Sequence, residues 1–381
     1  MLNDEARNAA YYEALRKAIV PNVSVVYDLG AGSGLLSCMA AKLGARKVFA
    51  VERKSFCDDV LRQIIKDNHY EDVIHVICDD SKYVMADDFK LDDPQPPDDA
   101  HIFVSETLDA YIVGESFLPS LEDWGMRGVV PRTSLVIPHS ASIYVHLSES
   151  TYLLNASATV SGFNFSALRP FQPSGEVIVG PYDPNIMNPL STHKRAIEFD
   201  FDGIFRGVTN SSQFVYVELP VDIAGGHLTT LVFSFNCSLD AAGGISLDTH
   251  NGTKTHWGQM TYLLEWSAEV QLGQTVKLGI FQMPERLLVA NAGAGGRLVR
   301  FMQHGSVVVE IYASFEGEDF CSTEPEDMRF ELGAGLGEFN VWLGHVGQIY
   351  TLVYQTRRKQ IKTFIMPDAA GGTELVEYAV M

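Results

Sequence analysis

The sequence predicts a chain in two parts, a parallel α/β part over residues 1–138 and an antiparallel β part over 139–381. Three observations carry this. Apolar runs alternate with helix-patterned stretches in the first third, which is the signature of strands joined by crossover helices. From about residue 139 the runs become short, β-branched and aromatic, and Gly, Asn and Asp turns separate them. At 381 residues the chain is also longer than one core usually grows.

The elements follow in order. "DEARNAAYYEALRKAIV" (4–20) repeats Ala10, Ala14, Leu15 and Ala18 at helical steps and is stopped by Pro21. "VSVVYDLG" is then a buried strand, "GLLSCMAAKLGA" a helix ending at Gly44, and "KVFAVE" the next strand. "FCDDVLRQIIKDNH" continues as helix, "VIHVIC" and "AHIFVSE" as strands. The insert between those two strands, residues 79–99, holds four Asp-Asp pairs and reads as a solvated loop with one helical turn. In the β part, "ASIYVHL", "RAIEFDF", "FVYVEL", "TTLVFSFNCSL", "TVKLGIFQM", "SVVVEIYASF" and "IYTLVYQT" read as strands. Residues 153–176 lack strand alternation and space their aromatics and leucine as a helix would, which suggests a protruding element.

Composition narrows the function. A formal charge of −20 repels nucleic-acid backbones and anionic membranes and attracts basic partners. No apolar run reaches 18 residues, which removes a membrane-spanning reading. Five cysteines, at 38, 57, 78, 237 and 321, show no metal-ligand spacing, so they read as reduced, mostly buried thiols in a reducing compartment, and no metal is expected. No signal peptide stands before the six N-x-S/T sites, so they read as chance matches, and no basic nuclear-import cluster stands out, so the cytoplasm is the default, with nuclear entry left open.

"VVYDLGAGSGLL" sets Gly30, Gly32 and Gly34 directly after a strand and before a helix that opens at Leu35. Glycine lets the backbone turn with positive φ and approach a ligand closely, and the helix N-terminus beyond is partly positive. The spacing is one residue tighter than the dinucleotide fingerprint. Glu52 closes the next strand, where an acid accepts hydrogen bonds from both ribose hydroxyls. Ribose without a cradled diphosphate points to a nucleoside cofactor such as S-adenosylmethionine.

"SETLDAYIVGES" holds Glu106 and Glu115 nine positions apart around a mostly apolar link. Taken alone the stretch reads as two exposed loop acids; two carboxylates held close together repel unless a cation sits between them.

With these motifs in order, the chain resembles the protein arginine methyltransferases. "MLNDEARNAAYY" is similar to that family's first helix, "VYDLGAGSG" and "VFAVE" to its cofactor motifs, and "SETLDAYIVGE" to its double-glutamate loop. "VVPRTSLVIP" is similar to its third motif and "KTHWGQ" to its Thr-His-Trp loop. "DAYIVGESFLPS" and "MLNDEARN" look closest to the seventh member, the monomethylating type III enzyme.

The resemblance implies a Rossmann-like cofactor domain, a β-barrel domain, and a helical dimerisation arm at about 152–180 that makes a homodimer. It implies S-adenosylmethionine as cofactor and S-adenosylhomocysteine as product. Glu106 and Glu115 would be the arginine clamp, with His256 facing the active site and paired to Asp4, a catalytic pair that joins the domains or relays the released proton, and Trp257 walling the arginine channel. Arg7 would hold the cofactor's carboxylate, Asp28 would support the glycine loop, and Asp80, Ser81 and Lys82 would meet adenine. Many members carry glutamate where this chain has Lys82. Relatives usually extend upstream with a closing helix, so with Met1 at the start weak cofactor retention is expected.

The implied substrates are Arg-rich proteins such as histone tails and RNA-binding proteins, and the product monomethylarginine. The intact Thr-His-Trp loop, however, resembles the dimethylating type I enzymes. Two rival readings remain. One is a silent subunit that activates a related methyltransferase; the other is a methyltransferase for small molecules.

Overall fold

In the computed structural model the described residues are 2–53, 55–91, 94–155, 159–165, 176–179, 185–209, 211, 213–250, 255–283 and 286–291, followed by separate strand segments between 301 and 380. The chain divides into two compact units. The first holds residues 1–143 together with 198–211 and 235–257, and the second holds the rest.

The first unit is built on five parallel strands: β1 (Val25–Leu29), β2 (Lys47–Val51), β3 (Ile74–Ile77), β4 (His101–Ser105) and β5 (Leu135–Ile137). Every residue of β1 and β4 is buried, as expected where both sheet faces are covered. The strand order β3-β2-β1-β4-β5 places the reversal of direction between β1 and β4. Ligands of open α/β sheets bind at such a reversal, beyond the carboxyl ends of the strands. Register makes this concrete: Leu29 lies opposite Val51 on one side and Ser105 on the other. The segments that follow, beginning at Gly30, Glu52 and Glu106, therefore leave the sheet side by side.

α1 (Glu5–Ala18) starts where the Asp4 carboxylate accepts the Arg7 backbone N–H at 3.0 Å, and it carries Glu5 in its first turn and Arg16 and Lys17 in its last. It buries Tyr11, Ala14 and Leu15, and the Tyr11 hydroxyl donates to the Ser105 carbonyl at 2.9 Å. α2 (Leu35–Lys42) and α3 (Ser55–Asp67) follow β1 and β2. α4 (Phe117–Arg127) buries Phe117, Leu118, Leu121 and Trp124. The acidic insert makes two short 3₁₀ turns, Ala86–Asp88 and Asp98–Ala100, rather than one.

Two segments from beyond residue 138 belong to this unit. "RAIEFDF" is a strand only to Asp200, whose carboxylate caps a six-residue helix, Phe201–Arg206. Phe201 and Phe205 are fully buried, Phe201 edge-on to Phe117 and Phe205 against Phe103. Gly125 of α4 lets this helix approach, because a Cβ there would overlap the Phe205 carbonyl. Residues 235–257 carry Ser246–Asp248, which pairs with Asn236–Ser238, and Asp240, which is 3.0 Å from Lys17 of α1.

The second unit is antiparallel. Its largest sheet, which curls, runs Asn188–Pro189, Ser140–Glu149, Gly226–Ser238, Gln259–Val270, Glu176–Val179. A register shift between Leu228 and Thr230 marks a bulge in the pairing of Gly226–Ser238 with Gln259–Val270. Gln213–Pro220, Thr275–Met283 and Arg286–Asn291 form a separate three-stranded sheet.

Of the segment expected to protrude, Thr151–Asn155 is helical and Thr159–Val160 pairs with Phe163–Asn164, with Tyr152 and Phe163 exposed. Its far end is an edge strand instead, because the β-branched run Val177–Val179 pairs with Gln259–Thr261. Residues 156–158, 166–175 and 180 lie outside the described residues. Of the cysteines whose surroundings are described, Cys237 is buried, Cys38 half-buried and Cys78 exposed, so burial is less general than the composition suggests. No helix among the described residues is long and apolar enough to cross a membrane.

Candidate active site

The loop after β1 turns at Gly30, Gly32 and Gly34 with φ of 76°, 54° and 80°, a region that side-chain-bearing residues rarely adopt. A Cβ on Gly30 would strike the Thr107 methyl, whereas a Cβ on Gly32 would meet nothing nearer than 3.9 Å. Gly32 thus presents open backbone beside the strand reversal. Its N–H donates to Glu52 Oε2 at 2.9 Å, which fixes the carboxylate against the loop. An open backbone with an acid fastened to it fits the ribose end of a nucleoside cofactor. Gly34 caps α2, and Leu35, half-buried, opens it.

Asp28 lies beneath this loop, buried, and accepts the Ser37 hydroxyl at 2.6 Å. Burial pushes its carboxyl up to about 6, Ser37 opposes this, and Glu52 adds to it. An unfolded aspartate ionises near 3.9, so native Asp28 costs stability as pH rises through about 4 to 6, and the cost stays in full above that window. Asp28→Asn keeps an oxygen for Ser37 and removes the buried charge. It is expected to raise stability at pH 7.5 by about 1–3 kcal/mol and to change it little at pH 4. Thermal unfolding at both pH values checks this, and equal stabilities at pH 7.5 would refute it.

The second cluster joins α1, the end of β4 and residues 255–257. Asp4 Oδ2 accepts the His256 backbone N–H at 3.0 Å and the ring Nδ1–H at 2.9 Å. Burial alone would raise the Asp4 carboxyl, but these bonds and the Arg7 N–H outweigh it and bring it below the usual range. Arg7, also buried, donates from Nη1 to Glu106 Oε2 at 2.7 Å and from Nη2 to Asn8 Oδ1 at 2.8 Å. Burial pushes Glu106 up to about 8; Arg7 opposes it, while Glu115 and Asp4 reinforce it. Trp257 is buried, lies with its ring centre 4.2 Å from that of His256 at a tilt of 37°, and donates Nε1–H to the Leu108 carbonyl at 2.7 Å.

Glu115 is exposed and close enough to raise Glu106. Its loop is tightly determined. Ile112 and Ser116 sit at φ of 77° and 62°, and Gly114 has no room for a Cβ beside Asp109 and Tyr111. A β-branched residue such as Ile112 in that region is a strained outlier, and strain of this kind gathers at functional loops.

Asp80, Ser81 and Lys82 follow β3. Ser81 Oγ lies 3.2 Å from Ser120 Oγ of α4, and its carbonyl accepts Trp124 Nε1–H at 2.9 Å. Lys82 is exposed, 3.6 Å from Asp80. Sequence reasoning missed Asn8, Thr107, Ser37 and Tyr11, all small or neutral partners that carry no spacing signal. Among the described residues no group of three or more His, Cys, Asp or Glu could hold a metal.

The family model for ribosomal protein L11 methyltransferase (PrmA) matches residues 11–92. The fold is similar to the Trypanosoma brucei PRMT1 enzyme-prozyme heterotetrameric complex with AdoHcy, with a TM-score of 0.63 at 20% identity over 87% of this chain and 95% of that one. Fold and glycine loop thus define an S-adenosylmethionine-dependent methyltransferase.

An arginine N(omega)-methyltransferase of Streptomyces achromogenes subsp. streptozoticus is 30% identical over 284 residues, 73% of each chain. The chain belongs to the arginine N-methyltransferase family. Protein arginine N-methyltransferase 7 of Cricetulus longicaudatus is 35% identical over 155 residues, 39% of this chain and 22% of that protein. The same protein of Danio rerio is 32% identical over 186 residues, 48% of this chain and 25% of that protein. The likeness to the seventh member holds, although the chain spans only a fifth to a quarter of those relatives' length.

Proposed function

We propose that this chain methylates an arginine side chain in Arg-rich proteins, histone tails and RNA-binding proteins among them, and stops at monomethylarginine. The observation that carries the reading is Glu106, a carboxylate 7% exposed at the strand reversal, raised by its burial and further by the second glutamate of the same loop. Burying one acid beside another is costly for a protein with no cation to receive.

Bound S-adenosylmethionine supplies an electrophilic sulfonium methyl. Glu52 and the glycine loop would hold its ribose end, Arg7 its carboxylate, and Asp80, Ser81 and Lys82 its adenine. Glu106 and Glu115 would grip the guanidinium, fix one nitrogen's approach and draw positive charge to the others, which restores nucleophilicity to that nitrogen. Glu115, the more exposed of the two, would accept the proton released by transfer. The −20 charge favours basic protein partners. The arm over 152–180, with Tyr152 and Phe163 exposed, would join two copies, and residues 1–138 and 139–381 would act as cofactor and substrate domains in the cytoplasm.

A second reading takes free arginine as the acceptor. It is favoured by the Streptomyces relative matched over 284 residues, which is named for arginine rather than for protein arginine.

Mass-resolved product analysis separates the two, with S-adenosylmethionine and either a histone H4 tail peptide or L-arginine. One methyl on the peptide supports the first reading. Transfer to L-arginine alone supports the second, and two methyls on one residue would exclude the monomethyl product. No transfer to either, with S-adenosylhomocysteine still bound, would leave a silent subunit.

A further inference from the structure

Leu29 and Ser105 are the last paired residues of β1 and β4, and beyond them the two chains part around the strand reversal. Side chains bridge the gap. Ser105 Oγ donates its one proton to the Leu29 carbonyl at 2.8 Å. Thr107 Oγ1 lies 3.0 Å from Ser105 Oγ, and because that proton is already spent, the Thr107 hydroxyl must be the donor. The Thr107 methyl fills the space that a Cβ on Gly30 would need. One residue of the clamp loop is thus tied both to the end of β1 and to the first glycine of the loop that follows it. Glu106 lies between the two hydroxyls, and the Ser105 carbonyl is itself held by the Tyr11 hydroxyl at 2.9 Å.

Resting on the arginine reading above, we propose that Thr107 is a positioning residue through which the glycine loop of the cofactor site sets the arginine clamp. The hydroxyl relay fixes the backbone on both sides of Glu106. The methyl, seated on Gly30, makes that backbone follow the glycine loop. A nucleoside that stills the loop then stills Glu106 as well.

The chemistry of threonine suits the task. Its methyl and hydroxyl branch from one carbon with a restricted χ1, so they cannot reorient independently. The two hydroxyls and the carbonyl form a chain in which each bond polarises the next, around a Ser105 that is fully buried. Gly30 is a firm seat, because its N–H and that of Ala31 both donate to the Val51 carbonyl, at 2.9 and 3.0 Å. A valine in place of Thr107 would keep the methyl and lose the relay. A serine would keep the relay and leave the space above Gly30 empty.

The test is amide hydrogen exchange of the full chain with and without S-adenosylhomocysteine, run on wild type and Thr107→Ala, with steady-state kinetics on the H4 tail peptide and on L-arginine alongside. In wild type the ligand is expected to slow exchange over residues 28–36 and over residues 105–116 alike. In Thr107→Ala, which lacks both methyl and hydroxyl, it is expected to slow only the first. The kcat of Thr107→Ala is expected to fall roughly ten- to a hundred-fold, the scale of a misplacement of up to about 1 Å at a reacting group, while KM for the acceptor changes much less. Thr107→Ser, with the relay intact, is expected to recover most of kcat, and Thr107→Val, with the methyl intact, most of the protection over 105–116. A residue that only supports the fold would lower the unfolding temperature of Thr107→Ala and leave both kcat and the protection, measured well below that temperature, at wild-type values; that result would overturn the proposal. So would wild-type protein protected over 28–36 and not over 105–116, with the arginine reading left intact. Transfer by wild type to neither acceptor would remove the arginine reading, and with it the clamp that Thr107 sets.

Discussion

Glu115→Gln is expected to lower kcat roughly a hundred- to a thousand-fold, the loss typical when one preorganised electrostatic partner of the reacting group is removed. S-adenosylhomocysteine affinity is expected to be unchanged. The substitution keeps the shape of a side chain whose loop is fixed by Ile112 and Ser116 at positive φ and by a Gly114 with no space for a Cβ. Only the charge goes. Glu106 would be a poorer choice, since Glu106→Gln also leaves the buried Arg7 guanidinium without its carboxylate and so mixes stability with catalysis. A second readout follows from the sign of the coupling. Glu115 helps to hold the Glu106 proton, so its loss lets Glu106 ionise at lower pH, and the residual activity of Glu115→Gln should reach its plateau at lower pH than wild type. A variant that transfers methyl at the wild-type rate would show that Glu115 lies outside the clamp.

The first unit was largely legible because its strands and helices obey local rules. "VVYDLG" is buried on both faces and reads as a continuous apolar run, and α1 has its cap at Asp4 and its stop before Pro21. α4 escaped because Pro119 and Gly125 look like breakers. Pro119 falls in the first turn, where a missing N–H is harmless, and Gly125 serves packing against Phe205. Phe201–Arg206 escaped because six residues are too few to show a helical period, and "RAIEFDF" runs straight into it. That Phe205 and Trp257 return to the first unit is a tertiary fact with no local trace. At the site the residue types were legible from the motif order. Their pairing was less so: nothing in "EARN" says that Arg7 turns to Glu106, steadied by the side chain beside it. Nor does any spacing reveal that Ser81 faces Ser120 of α4.

Glu52→Ala is expected to weaken S-adenosylhomocysteine binding by roughly a hundred-fold. Hydrogen bonds to an ionised carboxylate contribute about 1.5–3 kcal/mol each, and two ribose hydroxyls would share this one, at about 1.4 kcal/mol per tenfold. The backbone of Glu52 is anchored independently, its N–H donating to the Ile77 carbonyl at 3.0 Å, so truncation should leave β2 and β3 in register. The side chain has a second task, since Oε2 holds the Gly32 N–H. Loss of that bond loosens the loop whose backbone must lie against the ligand. The two tasks separate with Glu52→Gln, whose amide oxygen still accepts from Gly32 but carries no charge. Its affinity should fall between wild type and alanine, with thermal stability near wild type. If Glu52→Ala bound the cofactor product as tightly as wild type while unfolding at lower temperature, Glu52 would be a buttress for the glycine loop alone. The nucleoside would then have to be recognised elsewhere, and Asp80 and Ser81 after β3 would be the next residues to substitute.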